Sequence, residues 1–352
     1  MPRESKLTLN QIEAMRPGAR AAVRTCMGVK PNDRVFVLTD RVTSAIGRLL
    51  SEEAAEVGAQ AVIREIEQVG PRPMTEFGDE LRRELATFRP TVTFYAAASQ
   101  PGELSFRMAL RVFLTQELKV RHGHMPGVTP QLMVEGMRAD YKVVAALTRA
   151  VYDLGRETRE IRVTTTDGTD LTAKIGPSLR WVASTGIYHE QGQWGNLPEG
   201  ETFTCPETLD GTLVAHILGD YFSEKYGVLE TPVIFHITDG RVTAIESENA
   251  AIVVEMTHYL DSSENGRRAG EFAIGTNIGL KKLTGNLLQD EKLPGVHVAF
   301  GNPYPDETGA DWTSQVHVDV IPLNCTITMD GQLLMRDGKF DYELLGVSPT
   351  GW

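Results

Sequence analysis

The sequence predicts an α/β protein, with a doubly wound α/β domain at the N-terminus followed by a β-rich α+β domain. Two observations carry this prediction. Strands and helices alternate over the first half of the chain, and from Arg159 onward the apolar residues recur with a period of two. A length of 352 residues is enough for two domains. We place the boundary near residues 156–160, which gives domains 1–157 and 158–352.

The first half begins with a predicted helix over residues 8–29 and a buried strand at Arg34–Thr39. Two more strands are predicted in AQAVIREIE and TVTFYAAA, with helices over 41–57 and 75–88. Strands that alternate with helices at this spacing are typical of a parallel, doubly wound sheet. None of these strands is followed by GxGxxG or GxxxxGK[ST], so nucleotide binding has little support.

One long helix is predicted to close the first domain. Thr129 can cap its N-terminus, Pro130 suits its first position, and the apolar pattern continues to about Leu154. His122 and His124 precede it and share one face of a strand. A metal role is open for these two histidines, although we favour a place at the surface or in a substrate pocket.

The second half is marked by Asp-Gly pairs between alternating apolar segments, a pattern that favours β-hairpins. These pairs are Asp167-Gly168, Asp239-Gly240, Asp330-Gly331 and Asp337-Gly338. Helices are expected near 207–226 and 246–262. The second domain is therefore predicted to be β-rich.

The composition narrows the classes of function. A formal net charge of -12 and a pI of about 5.2 argue against binding to nucleic acid or to anionic membranes as the main activity. Three scattered cysteines, Cys26, Cys205 and Cys325, favour a reduced, cytoplasmic setting without a disulfide framework. No signal-peptide pattern and no run of about 18 apolar residues occurs, so we expect neither export nor a membrane span.

Potential metal ligands collect between Gly270 and Gly331. In QVHVDV, strand alternation puts His317 and Asp319 on one face and the valines on the other. Mixed imidazole and carboxylate ligands suit Zn, Mn, Co or Fe. Taken alone, the pair could be a hydrogen-bonded structural pair, His297 a core histidine, and Glu271 a solvated turn residue. As a group they favour a metal, because buried carboxylates need a cation nearby.

Four segments, NLPEGETFTCP, AGEFAIG, DEKLPGVHVAFGNPY and HVDV, resemble signature segments of the aminopeptidase T and aminopeptidase S family over roughly residues 195–340. The resemblance implies a two-domain metallo-aminopeptidase with two divalent metal ions, either Zn, Co, Mn or Mg. It also implies a peptide or small amide substrate, a homodimer, and a catalytic second domain. Peptide bonds would be cleaved through a metal-bound hydroxide.

The resemblance assigns six metal ligands: Glu201, Glu271, Glu291, His297, His317 and Asp319. It also makes Glu271 and Tyr304 catalytic, with Tyr304 donating a hydrogen bond to the developing oxyanion. Tyr304 could instead cap a turn. The loop before His297 is slightly longer than the family pattern, so Asp290 rivals Glu291. The chain is also shorter than typical members, which leaves the class of substrate open.

Two other interpretations are kept. The segment HVDVIPLNC is also similar to that of 2,5-dihydroxypyridine dioxygenase, which binds a single Fe(II) through two histidines and one aspartate. Glu271 argues against this alternative, because the dioxygenase has its other histidine there. The metal site could also persist in a descendant without enzymatic activity or with an unusual amide substrate. A pocket for such a substrate could be lined by His122, His124, His189 and Trp194.

Overall fold

The structure is a computed structural model that describes residues 7–219 and 221–348. Its contacts divide the chain into two compact units. The first unit consists of the chain up to Lys142 together with Gly186–Glu199, and the second consists of Val143–Thr185 and the chain from Gly200 onward. These ranges differ from the proposed domains 1–157 and 158–352, a division that stays a prediction.

The α-helices are numbered in chain order. They are α1 (Leu9–Arg20), α2 (Ser44–Val57), α3 (Asp79–Phe88), α4 (Leu104–Val112), α5 (Pro130–Val134), α6 (Tyr141–Glu157), α7 (Tyr221–Tyr226), α8 (Ala250–Asp261), α9 (Leu287–Asp290), α10 (Pro305–Thr308) and α11 (Tyr342–Leu345). Short π-helical segments, Ala21–Cys26 and Phe113–Glu117, extend α1 and α4. Within the described ranges, none of the helices is both long enough and apolar enough to cross a bilayer.

The strands are also numbered in chain order. They are β1 (Arg34–Thr39), β2 (Gln60–Glu65), β3 (Val92–Ala97), β4 (Arg121–Pro126), β5 (Glu160–Thr164), β6 (Asp170–Lys174), β7 (Val182–Ser184), β8 (Trp194–Asn196), β9 (Glu201–Thr204), β10 (Thr208–Ala215), β11 (Ile217–Leu218), β12 (Val233–Thr238), β13 (Arg241–Glu246), β14 (Ala269–Gly275), β15 (Gly295–Gly301), β16 (His317–Ile321), β17 (Thr326–Met329), β18 (Gln332–Arg336) and β19 (Lys339–Phe340).

The first unit is built on a parallel sheet with the strand order β2-β1-β3-β4-β8. The predicted strand Arg34–Thr39 is observed with the same bounds. Apolar residues fill both β1 and β3, which is typical of parallel strands covered on both faces. The predicted doubly wound α/β architecture is confirmed.

The long helix predicted from Pro130 to Leu154 is wrong, because two helices and a 3₁₀ turn occupy this stretch. Thr129 does cap the first helix, since its hydroxyl accepts the Leu132 N–H at 3.2 Å. The helix stops at Glu135, whose backbone lies outside the helical region. Asp140 then starts the second helix, and its carboxylate accepts the Lys142 N–H at 2.9 Å.

Two antiparallel sheets form the second unit. One has the order β13-β12-β10-β6-β5-β17-β18-β19, and the other has the order β11-β16-β15-β14-β9-β7. Their apolar faces share one core, in which the rings of Phe235 and Phe300 lie 5.4 Å apart. The predicted β-rich second half is therefore confirmed.

The helix predicted near 207–226 is mostly wrong, because the described residues of this stretch form β10 and β11 and are helical only in α7. Leu209 and Leu213 are four residues apart, a spacing that also suits a helix face. In the structure β10 lies between β6 and β12, and this pairing buries both leucines. Tertiary pairing thus overrides the local pattern.

The four Asp-Gly pairs lie in the turns of β-hairpins, as predicted. In the turns at Asp239, Asp330 and Asp337, both the aspartate and the glycine after it have a positive φ. Two such residues make a type I′ turn, whose twist matches that of the flanking strands. These turns join three hairpin pairs of the eight-stranded sheet, β12 with β13, β17 with β18 and β18 with β19.

Candidate metal centre

Five of the six predicted metal ligands lie on four strands of the six-stranded sheet, and the sixth, Glu291, directly follows α9. Glu201 begins β9, Glu271 lies on β14, His297 lies on β15, and His317 and Asp319 lie on β16. These strands are neighbours in the order β16-β15-β14-β9. Residues far apart in sequence are therefore brought onto adjacent strands.

Strand register aligns these residues across the sheet. Ala299 of β15 pairs with Glu271 on one side and with Asp319 on the other. His297 is two residues before Ala299 and therefore lies on the same face. The alanine between the two carboxylates leaves space that a larger side chain would fill.

The opposite face of these strands holds the sheet to the core. Phe272, Val298 and Val318 alternate with the metal-binding candidates and belong to the hydrophobic core of the second unit. The strands thus anchor one face in apolar packing and present polar groups on the other.

An irregularity in β14 sets the position of Glu271. The pairing of β14 with β15 shifts between Ala269 and Glu271, as in a β-bulge. Gly270 is necessary here, because a Cβ atom at this position would lie 2.0 Å from the Gly301 carbonyl oxygen. The bulge redirects Glu271 relative to a regular strand.

The donor atoms surround a common centre. His297 Nε2 lies 3.3 Å from Glu271 Oε1 and 3.7 Å from Asp319 Oδ1. His317 Nε2 lies 3.7 Å from Glu271 Oε2 and 3.6 Å from Asp319 Oδ1. Ligands about 2.0–2.2 Å from a Zn²⁺-sized ion lie roughly 3.0–3.5 Å from one another. The distances between neighbouring donor atoms are thus close to those expected around one divalent ion.

The orientation of His317 is fixed from behind. Its Nδ1 lies 2.9 Å from the Asn302 carbonyl oxygen. A carbonyl oxygen can only accept, so Nδ1 carries a proton, and Nε2 is the ring nitrogen that faces the cluster and can bind a metal once it is deprotonated. Metal-binding histidines commonly have such a second partner.

Glu201 supplies the clearest sign that a cation fits. Its Oε2 is buried, lies 3.7 Å from His297 Nε2, and has no hydrogen-bond partner among the described residues. A buried carboxylate oxygen without a partner is costly unless a cation binds it. Glu201, Glu271 and His297 can each offer one donor atom within 4.8 Å of the others. The residues present thus fit a divalent ion.

A lysine that the sequence analysis did not single out also belongs to this cluster. Lys292 is almost completely buried, and its Nζ lies 2.6 Å from Glu201 Oε1 and 2.8 Å from Glu291 Oε1. In the sequence Lys292 lies in QDEKLPG, where a lysine is expected to be solvated. No local pattern would have revealed this contact.

The two rival acidic residues of this loop have different surroundings. The Asp290 carboxylate accepts hydrogen bonds from the backbone of Thr284 and Gly285 and from the Thr284 hydroxyl, at 2.7–3.0 Å. Asp290 thus organises its own loop. Glu291 instead pairs with Lys292, beside Glu201.

Tyr304 lies at the edge of the cluster, where its ring centroid is 4.8 Å from that of His317. It has a positive φ of 50°, which is unfavourable for a tyrosine. The Asn302 side chain accepts the Tyr304 N–H at 2.9 Å and supports this conformation. Tyr304 also directly precedes α10 at its N-cap position. The same residue thus occupies a capping position and lies beside the cluster.

The charges of the cluster shift the pKa values of its members. Burial disfavours the charged form of His297, but the hydrogen bond to Glu271 and the charges of Glu201 and Asp319 raise its pKa to about 9. For His317, burial is outweighed by Asp319 and Glu271, which raise its pKa to about 10. Burial raises the pKa of Glu291 to about 8, although Lys292 opposes this shift. Asp319 keeps a low pKa of about 2, since His317 outweighs the effect of burial.

His122 and His124 of the first unit are not surface residues. His122 and His124 are buried on β4, and His122 is hydrogen-bonded to both Thr93 and His124. Burial lowers the pKa of His122 to about 3, so it is neutral. The rings of His124 and Trp194 are in edge contact, and His189 contacts the Thr25 carbonyl oxygen.

Residues 141–340, which are more than half of the chain, match the family described as thermophilic metalloprotease (M29). The chain belongs to the thermophilic metalloprotease (M29) family. The matched region contains all six predicted ligands and Tyr304. This match confirms the predicted family resemblance and the predicted class of metal-dependent peptidase.

Two solved structures resemble this M29 protein in fold. AmpT from Thermus thermophilus aligns with a TM-score of 0.68 and 19% identity, over 94% of this chain and 99% of AmpT. The 2,5-dihydroxypyridine dioxygenase from Pseudomonas putida KT2440 aligns with a TM-score of 0.64 and 18% identity, over 92% and 96% of the two chains. No curated protein matches the sequence significantly.

Proposed function

We propose that this M29 protein is an aminopeptidase, which removes the N-terminal residue from peptides or aminoacyl amides. The observation that carries the proposal is the convergence of Glu271, His297, His317 and Asp319 around one centre on the polar face of the sheet. The family is one of metal-dependent peptidases, which supports hydrolysis of an amide bond.

We assign the divalent ion to these four residues, with Oε2 of Glu201 as a fifth donor. When bound, such an ion can polarise a carbonyl group and lower the pKa of a water molecule. An oxygen-rich donor set with two imidazoles suits Zn, Co, Mn or Mg. The predicted second ion would need Glu201 and Glu291, whose carboxylates both contact Lys292.

The acidic side chains give a reason for cleavage at the N-terminus. Glu201, Glu271, Glu291 and Asp319 place four carboxyl groups in one cluster. A positively charged α-ammonium group of a substrate is attracted to such a site, whereas an acylated N-terminus is not. We propose that this attraction positions the first peptide bond of the substrate.

Tyr304 is proposed to donate a hydrogen bond to the carbonyl oxygen as it becomes negative. Its ring contacts that of His317, which places the phenol beside the centre. Replacement of Tyr304 by Phe is expected to lower kcat about 100-fold and to leave metal content unchanged, because only a donor is lost. Tyr152→Phe, on α6, is the matched control. Equal kcat in both variants would contradict this role.

A panel of substrates tests the proposed activity. Aminoacyl p-nitroanilides and aminoacyl amides should be hydrolysed after Zn²⁺, Co²⁺, Mn²⁺ or Mg²⁺ is added, and their N-acetylated counterparts should not. Chelation should stop hydrolysis, and the same ion should restore it. Cleavage of free and acetylated substrates at equal rates would contradict the aminopeptidase assignment.

A mononuclear Fe(II) dioxygenase is the second candidate. It is favoured by the arrangement of donors around a single centre and by the fold shared with 2,5-dihydroxypyridine dioxygenase. Glu271 weakens this candidate, because the dioxygenase has its second histidine ligand at the position where this chain has a glutamate. Oxygen consumption with Fe(II) and dihydroxylated aromatic rings would favour it over hydrolysis.

We also propose that the protein is a cytoplasmic homodimer that binds neither nucleic acid nor membranes. The acidic net charge of -12 supports the absence of nucleic-acid binding. Light scattering coupled to size-exclusion chromatography tests the dimer, and a monomeric mass would contradict it.

A further inference from the structure

We propose that the ammonium group of Lys292 takes the place of a second metal ion, so that the centre binds one divalent ion per chain. This inference rests on the proposed metal centre and deepens it. Two contacts carry it, since Lys292 Nζ lies 2.6 Å from Glu201 Oε1 and 2.8 Å from Glu291 Oε1. An ammonium that bridges the buried Glu201 carboxylate and the partly buried Glu291 carboxylate occupies the position that a cation between them would need.

The backbone holds Lys292 in this position. The Lys292 carbonyl oxygen accepts the Asn277 N–H at 3.0 Å, and the Lys292 N–H donates to the Gln289 carbonyl oxygen at 3.0 Å. The turn also packs directly against Gly275, where a Cβ atom would lie 2.1 Å from the Leu293 carbonyl oxygen. Gly275 is paired with Glu201 across β14 and β9. The sheet thus places the lysine beside the carboxylate that it contacts.

Burial keeps the ammonium between its partners. Only 2% of the Lys292 side chain and 9% of the Glu201 side chain are exposed. Displacement of the lysine by a metal ion would leave a buried ammonium without these carboxylates, which is strongly unfavourable. A second ion would therefore have to compete with the Lys292 ammonium for the same two carboxylates.

The two oxygens of Glu201 divide their roles. Oε1 contacts Lys292, whereas Oε2 has no hydrogen-bond partner among the described residues and faces His297. Lys292 thereby orients Oε2 toward the single ion, as outer partners of metal ligands commonly do. Lys292 is thus a positioning residue as well as a fixed charge.

Charge balance favours one ion. The carboxylates of Glu201, Glu271, Glu291 and Asp319 carry four negative charges when ionised. One divalent ion and the Lys292 ammonium offset three of them, which leaves one negative charge for the α-ammonium group of a substrate. Two divalent ions with the same lysine would make the site positive and repel that group.

Metal stoichiometry of the full-length protein, with Mn²⁺ as the probe, tests the inference. The wild type should bind one Mn²⁺ per chain by calorimetry and elemental analysis. Its electron paramagnetic resonance spectrum should be that of an isolated ion, because two ions about 3.5–4 Å apart would be magnetically coupled. Lys292→Glu should bind two coupled ions, since it replaces the blocking cation with a ligand.

Two further variants complete the design. Lys292→Met removes the ammonium without adding a ligand, so it should bind a second, weaker Mn²⁺. Lys282→Glu changes an exposed lysine in the same segment to glutamate and should still bind one ion. Circular dichroism and thermal unfolding check that each variant folds. The wild-type stoichiometry and spectrum decide the number of ions without any variant.

Three results would overturn the inference. Two coupled Mn²⁺ ions in the wild type would show that Lys292 does not exclude the second ion and would leave the proposed activity standing. One ion in the wild type and in folded Lys292→Glu and Lys292→Met would show that the lysine is not the barrier. No bound ion in the wild type would remove both the inference and the proposed metal centre.

One isolated ion without hydrolysis of aminoacyl amides would support the inference and contradict the proposed peptidase.

Discussion

His317 shows how a single side chain is prepared for metal binding. Its Nδ1 donates to the Asn302 carbonyl oxygen at 2.9 Å, and its Nε2 faces Glu271 and Asp319. The ring nitrogen that can bind metal is thus selected before an ion arrives. Asn302 also accepts the Tyr304 N–H, so one residue orients two neighbours of the centre.

Loss of a proposed ligand should abolish activity without unfolding the protein. His317→Ala and Glu271→Ala are each expected to lower kcat/KM at least about 100-fold, because loss of an outer partner alone commonly costs 10- to 100-fold. The measurement is metal content together with aminoacyl amide hydrolysis. His258→Ala, at an exposed position on α8, is the control. Full activity in both ligand variants would remove the site assignment.

Metal binding should release protons. The pKa values of about 9 for His297 and about 10 for His317 mean that both imidazoles are protonated at pH 7 in the absence of metal. Both must lose a proton to bind an ion, so affinity should rise with pH through neutrality. Calorimetry in buffers with different ionisation enthalpies counts the protons released. Affinity that stays constant from pH 6 to pH 9 would contradict this expectation.

At the level of secondary structure, β14 is constrained by close backbone contacts near both of its ends. Gly270 and Gly275 each lie where a Cβ atom would come within 2.1 Å of a carbonyl oxygen. The first permits the bulge that redirects Glu271, and the second permits the approach of the turn that carries Lys292. Two glycines at the ends of one strand thus position an acidic group and a basic group.

Replacement of Gly275 by Ala should destabilise the protein by about 1–3 kcal/mol, because the added methyl group forces the strand and the Lys292 turn apart. Urea unfolding measures this difference. Gly78→Ala is the matched control, since an added Cβ atom there meets no described atom within 4 Å and φ is -75°. Equal unfolding midpoints for the two variants would show that the turn accommodates the methyl group.

The elements also show what a sequence can and cannot predict. Strand alternation correctly placed His317 and Asp319 on one face, and the Asp-Gly pairs correctly located hairpin turns. Lys292 was missed because its role depends on Gly275 and Glu201, which are distant in sequence. The register that brings them together is a property of the sheet and leaves no local signal.

The whole molecule should be stabilised by the ion that it binds. A ligand at 1,000 times its Kd that binds only the folded state contributes about 4 kcal/mol. For a unit of this size, removal of the ion should lower Tm by about 10 °C. Differential scanning calorimetry before and after chelation measures the shift, and addition of the same ion should reverse it. An unchanged Tm would mean that the ion binds the folded state weakly or not at all.

Finally, the first unit is not one continuous piece of chain. Its sheet is completed by β8, which is delivered by Gly186–Glu199 after the chain has already entered the second unit. A fragment cut at residue 157 would retain β1–β4 but expose the full edge of β4, and exposed strand edges promote aggregation. Anyone who wishes to express this unit alone must therefore splice the returning segment back into the gene.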